Sequence, residues 1–253
     1  MLEFVDAATA RTLPGTRMVV SAIVPSPWSE AAKGLFRVAG LRAAVVRAMP
    51  RDKDLAAWTG VDNVPVVLHD DEPARTNWAA IVGLVARLAP GTVLPAAVAE
   101  RAEVMGWLDA VAGEDGLAWT GRLAMIERGL ATRGELGFAP PAAGYLGKRY
   151  GFASAGAADD IVARASAHLA ALAARLGARD YFGGARPNAL DIYVATALTA
   201  LTPLTEADCP RMSELGRRGF AGATAALGAH VPPSLRELRA RMFDKHLAYP
   251  IEL

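Results

Sequence analysis

A change in hydrophobic periodicity near residue 90 constrains this fold more than any other feature of the sequence. Before that point, short apolar and β-branched runs at 18–24, 43–46 and 64–68 predict strands. Helical patterns separate them, beginning at Ser26 and at Asn77. Strands that alternate with helices predict an α/β layer with at least one parallel crossover.

Beyond a Pro- and Gly-containing segment, apolar residues recur at spacings of three and four and the strand pattern nearly vanishes. We therefore predict an α/β domain over 1–89, a linker over 90–95 and an all-helical domain over 96–253. A Gly-, Ala- and Pro-rich stretch, 134–156, is predicted to be an irregular connection. The predicted helices of the second domain are 98–111, 117–130, 161–176, one from Asn188, and 234–243.

Composition excludes several classes of function. Lys and Arg number 27 against 26 Asp and Glu, so a phosphate-tracking surface is not expected, nor is nucleic acid as a partner. The one cysteine, Cys209, excludes an internal disulfide and a CxxC site and fits a reducing compartment. The four histidines are scattered without ligand spacing, so no metal site is predicted. GxSxG, P-loop and GxGxxG motifs are absent, so hydrolase, phosphoryl-transfer and Rossmann functions are not predicted.

The sequence gives no sign of a membrane protein or a secreted one. The uncharged stretch from Ile192 to Thr205 is shorter than the roughly 20 residues of a membrane span, and Pro203 interrupts it. The first residues carry acids where a signal peptide has Lys or Arg. We expect a buried helix in the first case and a cytoplasmic protein overall.

Three short segments occur in a characteristic order. They are Ser26-Pro27-Trp28-Ser29 at the head of a helix that ends in Val38-Ala39-Gly40-Leu41, then Val64-Pro65, then Arg186-Pro187-Asn188-Ala189-Leu190-Asp191. Together they resemble the glutathione transferase superfamily, and the first is similar to the active-site turn of the omega and zeta types. The resemblance implies a thioredoxin-like domain followed by a helical domain, a cytoplasmic homodimer, glutathione as co-substrate and a small electrophile as substrate.

By this resemblance, Ser26 holds the position of the catalytic serine or cysteine. A glutathione thiol titrates near 8.5, and lowering its pKa by ~2 units takes roughly 2.7 kcal/mol. One hydroxyl bond to a charged acceptor (about 1.5–3 kcal/mol) and a helix N-terminus (~0.3–1) can supply that. Ser29 is the second candidate hydroxyl; alternatively, Ser-Pro here is an ordinary helix N-cap. Since neither residue is cysteine, disulfide exchange is not expected.

The resemblance also assigns residues that would hold glutathione. Val64 and a cis Pro65 would pair with the tripeptide as an added strand, unless Pro65 is an ordinary trans edge proline. Trp28, between the two serines, would lie at the same cleft. Asn77 and Trp78 occupy the positions where the family carries Glu-Ser or Gln-Ser, and neither brings a charge. That departure keeps open a binding module without glutathione chemistry, or a glutathione-dependent isomerase or lyase.

The second substrate would lie between the domains. Trp119 follows a turn between two helices, and Arg122 lies one turn further on the same helix face. With Tyr145 they are the candidates for the substrate pocket. The alternatives are a Trp119 packed between helices and an Arg122 at the surface.

The third segment predicts a structural feature. Asn188 can cap the following helix while Asp191 returns to the Asn188 N–H, as in a capping box.

Overall fold

A four-stranded mixed sheet forms the centre of the first half of the chain. In this computed structural model, which describes residues 1–152 and 158–253, the strand order is β1-β3-β2-β4. The β1–β3 and β2–β3 pairs are parallel, which confirms the predicted crossover, and β4 is antiparallel to β2 at the edge. The strands are β1 (Leu2–Phe4), β2 (Thr16–Ser21), β3 (Ala43–Ala48) and β4 (Val66–His69).

Four helices accompany the sheet, and two of them position the site. The helices that begin after Ser26 and Asn77 were predicted from their caps, and they pack against one another. The other two, like β1, were missed because each is too short to show a hydrophobic period. The helices are α1 (Ala7–Thr12), α2 (Pro27–Val38), α3 (Lys53–Thr59) and α4 (Trp78–Leu88).

The second half of the described chain is helical, as predicted. One expectation was wrong: 134–156 is not an irregular connection throughout, because 140–149 form a helix with Pro140 in its first turn. Residues 153–156 of that stretch lie outside the described residues. The helices are α5 (Val98–Ala112), α6 (Leu117–Ala131), α7 (Pro140–Arg149), α8 (Ala158–Leu176), α9 (Ala189–Leu198), α10 (Glu214–Leu227) and α11 (Pro233–Lys245), with a short 3₁₀ turn at Gly228–His230.

Every residue of α9 is buried, and its start is held by the predicted capping box. The Asn188 side-chain oxygen accepts from the Leu190 N–H at 2.8 Å. The Asp191 carboxylate accepts from the N–H groups of Asn188 (2.8 Å), Phe182 (2.7 Å) and Gly183 (3.1 Å). Burial raises the pKa of Asp191 to about 6 despite these donors. The capping box therefore fixes both the helix and the preceding loop.

The two halves meet where α2 packs against α9. Gly34 allows this approach, since a Cβ there would lie 2.7 Å from Ile192 Cγ2 and 2.8 Å from Leu247 Cδ2. The C-terminal segment adds polar contacts: Lys33 donates to the Glu252 carbonyl, and Arg37 pairs with the Glu252 carboxylate at 2.8 Å. These contacts fix the helix that carries Ser26 at its head.

Candidate active site

The hydroxyl of Ser26 lies at the start of α2 and makes no capping hydrogen bond. Its backbone is extended, with φ −60° and ψ 128°, and its carbonyl accepts from the Glu30 N–H at 2.9 Å. The residue therefore occupies the N-cap position through its backbone alone. Because Pro27 follows, one of the orphan N–H groups of this helix end is missing. The Ser26 side chain is 7% exposed and its oxygen is not engaged by the helix end.

Ser29, predicted as the second candidate hydroxyl, does not share this position. The residue is fully buried. Its hydroxyl accepts a hydrogen bond from the Ser21 N–H at 3.2 Å, at the end of β2. Ser29 lies three residues after Ser26, on the face of α2 that packs against the sheet. Its hydroxyl therefore joins the helix to the strand.

The Val64–Pro65 bond is cis, as the resemblance implied. The antiparallel register pairs Val66 of β4 with Val19 of β2, so this turn lies beside the end of β2 and the loop that leads to Ser26. Within residues 1–152 and 158–253, neither the N–H nor the carbonyl of Val64 has a backbone partner. The turn thus presents an unpaired edge segment of the kind that an extended peptide can join.

The start of α4 lies on the other side of this turn. The Asn63 side-chain amide donates to the Thr76 carbonyl at 3.2 Å and so joins the turn to that helix. Asn77 is exposed, and its side-chain oxygen accepts from the Ala80 N–H at 2.9 Å as an N-cap. Trp78 is half-buried and packs against the core. The Asn77 side-chain oxygen therefore accepts from the helix itself, and Trp78 has no acceptor.

Aromatic side chains from both halves of the chain meet where α2 lies beside the ends of α5 and α7. The Trp28 indole donates to the Ala112 carbonyl, at the end of α5, at 2.8 Å. Its ring lies 6.4 Å from that of Tyr150, and Tyr150 lies 4.5 Å from Trp119. The Trp119 indole also donates to the Tyr150 carbonyl at 3.2 Å. Phe138 is linked to these three through Arg122, whose guanidinium carbon lies near the rings of both Phe138 and Tyr150. We call Trp28, Trp119, Tyr150 and Phe138 the aromatic cluster.

Arg122 lies against this aromatic cluster rather than at the surface. It is 8% exposed, and its guanidinium carbon is 5.3 Å from the Phe138 ring centre and 6.0 Å from that of Tyr150. Its hydrogen-bond partner is the sulfur of Met125, at 3.7 Å. The predicted pair of Trp119 and Arg122 is therefore brought together, and both adjoin Trp28 through Tyr150.

Tyr145 does not join the aromatic cluster. It is 43% exposed on α7, where the Arg51 guanidinium lies 4.9 Å from its ring centre. Arg149, one turn later, pairs with Asp62 at 3.7 Å across the two halves, and the Tyr145 hydroxyl lies 3.5 Å from Arg149. Tyr145 thus marks an exposed rim near the Val64–Pro65 turn rather than a wall of the cleft.

Sequence reasoning missed Tyr150, Phe138 and Asn63. A signal for Tyr150 was present, because Pro140 at a helix start and Gly151 just past its end predict a helix that Tyr150 closes. Phe138 lies in the loop before that helix and carried no periodic signal. Asn63 precedes a short strand, where spacing does not show a partner on another element.

The described residues were also compared with the requirements of a metal site, a membrane span and a reactive cysteine. Over 1–152 and 158–253, no group of three His, Cys, Asp or Glu side chains is placed to hold a metal ion. None of the helices described is both long and apolar enough for a transmembrane segment. Cys209 is buried, and burial raises the pKa of its thiol to about 11.

Solved structures with the same architecture are glutathione transferases. One from Methylobacterium radiotolerans, in complex with glutathione sulfonate, matches with a TM-score of 0.62 and 18% identity over 92% of this chain and 95% of that one. One from Methylobacillus flagellatus with glutathione bound gives 0.60 and 14%, over 91% and 95%. A theta-class enzyme from Xanthomonas axonopodis pv. citri, also with glutathione bound, gives 0.60 and 18%, over 92% and 94%.

No protein-family model matches the sequence, and no curated protein matches it in a sequence search. The structural matches nevertheless show that the chain has the fold of the cytosolic glutathione transferases, a thioredoxin-like sheet domain followed by a helical domain. Its sequence is far from the structures that share that fold, so the site has to be interpreted from its own residues.

Proposed function

We propose that this protein uses glutathione as a co-substrate and transfers it to a small electrophile, with the Ser26 hydroxyl stabilising the thiolate. The observation that carries the proposal is a serine at a helix N-terminus whose side chain is not engaged in capping. In the transfer, the thiol proton goes to solvent and the thiolate sulfur bonds to the electrophilic carbon. In a substitution, the leaving group departs with its bonding electron pair. In an addition, the displaced π electrons form a carbanion on the neighbouring atom, which takes a proton from solvent.

The Val64–Pro65 turn supports a peptide as co-substrate. Its unpaired N–H and carbonyl lie beside the loop to Ser26, so a peptide added to this edge would bring its cysteinyl sulfur toward that hydroxyl. Structural neighbours with glutathione bound share the fold. Pro65 and Val64 therefore act as binding residues in this proposal, and Ser26 as the group that touches sulfur.

Glutathione binding is expected to be weak at its γ-glutamyl end. Asn77 carries no charge and its oxygen caps α4, while Trp78 has no acceptor. Losing one charged hydrogen bond of about 1.5–3 kcal/mol weakens affinity roughly 10- to 150-fold. We therefore propose a dissociation constant for glutathione in the millimolar range.

Calorimetric titration with glutathione tests this proposal. We expect saturable heat when the wild-type protein is titrated with millimolar glutathione. S-methylglutathione, which cannot form a thiolate, should bind the wild-type protein and the Ser26→Ala variant with similar affinity. Absence of heat at millimolar glutathione in the wild-type protein would overturn the proposal.

The engaged Asn77 side chain favours a second candidate: a protein of this fold that binds ligands or a partner without glutathione chemistry. A glutathione-dependent isomerase or lyase is a third use of the same Ser26 geometry. The titration separates the binding module from the other two. Product analysis then separates transfer, which consumes glutathione, from isomerisation, which regenerates it.

Three further properties belong to the same proposal through the resemblance: an omega- or zeta-type active-site turn, a homodimer and a cytoplasmic location. The homodimer is the most easily measured of these. Light scattering on the purified protein should give twice the 26.5 kDa of the chain.

A further inference from the structure

Arg122 is a buried cation for which the described structure provides no carboxylate. It is 8% exposed, and no ion pair with it occurs within residues 1–152 and 158–253. The sequence of the remaining segment, 153–157, contains only Ala, Ser and Gly, so it cannot supply an acidic side chain. Burying an unpaired charge is expensive in free energy, so a ligand that supplied an anionic partner would bind favourably to this guanidinium.

The surroundings of Arg122 define what such a ligand looks like. Ring faces of Phe138 and Tyr150 flank the guanidinium and stabilise its charge, but they leave its N–H donors without an oxygen acceptor. The Met125 sulfur is a weak acceptor. A guanidinium is planar and pairs best with two coplanar oxygens, as in a carboxylate.

The aromatic cluster gives the rest of that ligand its shape. Trp119 and Tyr150 pack together, and Tyr150 in turn lies near Trp28, two residues from Ser26. A flat conjugated or aromatic group stacks well on such surfaces. One end of this cleft thus provides a cation and the other end adjoins the proposed thiolate position.

We propose that Arg122 is the anion-binding residue of the cleft and selects a planar, conjugated or aromatic carboxylate as the second substrate. The identity of this molecule as a substrate rests on the proposed function, whereas its binding to Arg122 does not. The carboxylate would pair with the guanidinium while the conjugated part lies against the aromatic cluster.

The test compares two probes of the same shape and different charge, cinnamate and cinnamamide. Their binding is followed by quenching of tryptophan fluorescence, without glutathione. We expect the wild-type protein to bind cinnamate about 10-fold or more tightly than cinnamamide, the effect of one charge-assisted hydrogen bond. Arg122→Met should bring the two affinities to within about 2-fold of each other, and Arg122→Lys should retain part of the preference.

Arg239→Met is the matched control. Arg239 is 9% exposed and lies 5.0 Å from the Phe243 ring centre, but it belongs to α11, which packs on α9 and α8. This variant should keep the full preference for cinnamate. Equal affinity of the wild-type protein for the two probes would overturn the proposal whether or not the Arg122 variants fold, as would a preference that survives in Arg122→Met.

The two proposals fail separately. If glutathione gives no heat but cinnamate is preferred through Arg122, the transferase function falls and the anion site stands. If glutathione binds and is transferred but charge has no effect on probe binding, the Arg122 proposal alone falls.

Discussion

Two helix N-termini lie near the Val64–Pro65 turn, and they use their cap residues differently. At α2, Ser26 caps through its backbone and its hydroxyl makes no capping bond. At α4, the Asn77 side chain accepts the Ala80 N–H. Both residues belong to types that cap helices well, so sequence alone does not distinguish them.

The difference indicates which end of the cleft retains chemistry. The Asn77 oxygen already accepts from its own helix and has one lone pair left for a ligand, whereas no capping bond competes for the Ser26 hydroxyl. In the proposal, the Ser26 end of the cleft would bind the thiol, and the Asn77 end, which carries no charge, would bind the γ-glutamyl group. The proposed enzyme therefore combines a functional thiol site with weak hold on glutathione.

Removing the Ser26 hydroxyl should give the largest effect. If that hydroxyl supplies most of the roughly 2.7 kcal/mol that lowers the thiol pKa by ~2 units, Ser26→Ala should reduce the thiolate fraction of bound glutathione about 25-fold at pH 7. At saturating glutathione, kcat/KM for the electrophile should fall by the same factor. The variant's free energy of unfolding should change little, since no capping bond is lost. Steady-state kinetics and urea melts measure the two effects.

Asp6→Ala is the control for Ser26→Ala, because it removes a cap that does form a side-chain hydrogen bond. Asp6 caps α1 through its side chain, which accepts the Thr9 N–H at 2.7 Å, and it lies in the connection between β1 and α1. This variant should lose about 1 kcal/mol of stability and keep its turnover. A Ser26→Ala protein with wild-type kcat/KM would break the comparison.

The second prediction concerns Asn77→Ala. It should lower the free energy of unfolding by about 1 kcal/mol through loss of the cap. Glutathione affinity should change by less than about 2-fold, because the carboxamide oxygen is engaged by Ala80 rather than by the ligand. A large loss of calorimetric affinity without loss of stability would show that Asn77 holds glutathione after all.

Asn188 gives a second structural cap to set beside Asn77. Its oxygen accepts from Leu190 in the buried capping box of α9. Asn188→Ala should cost ~1 kcal/mol with little direct effect on catalysis. An unchanged urea midpoint would mean that this cap contributes nothing.

The smallest predicted effect is a pH dependence of stability that arises from Asp191 in the capping box of α9. Asp191 has a folded-state pKa of about 6, above the roughly 3.9 of an unfolded chain, so the folded protein binds this proton more tightly. Its contribution to stability is full below about pH 4 and is lost as the pH rises through 6. Between pH 5 and 7 the wild-type protein should lose about 1 kcal/mol relative to Asp191→Asn. Urea melts of both proteins at the two pH values measure this, and parallel behaviour would contradict the assignment.

Sequence patterns predicted the elements with strong local signals. Caps and apolar spacing located α2, α4 and α9, and the capping box was found because all its parts lie within four residues. Short elements such as α3 were missed, because seven residues show too little periodicity. The helix α7 was missed because its Gly, Ala and Pro content is typical of loops.

The site was predictable only where local sequence determines it. Trp119 and Arg122 are one helical turn apart, so their shared face could be inferred. The contact of Tyr150 with Trp28 depends on how α7 and α2 pack, which no local pattern records. Ser26 and Ser29 look alike in sequence, and the packing of α2 on the sheet separates them.

Titration of the bound glutathione thiol tests the central claim most directly. The pH profile of kcat for the wild-type enzyme at saturating glutathione should show an apparent pKa ~2 units below the roughly 8.5 of a free thiol. In Ser26→Ala the value should return close to that of the free thiol. A wild-type complex that titrates near 8.5, or a lowered value that persists in Ser26→Ala, would contradict the account.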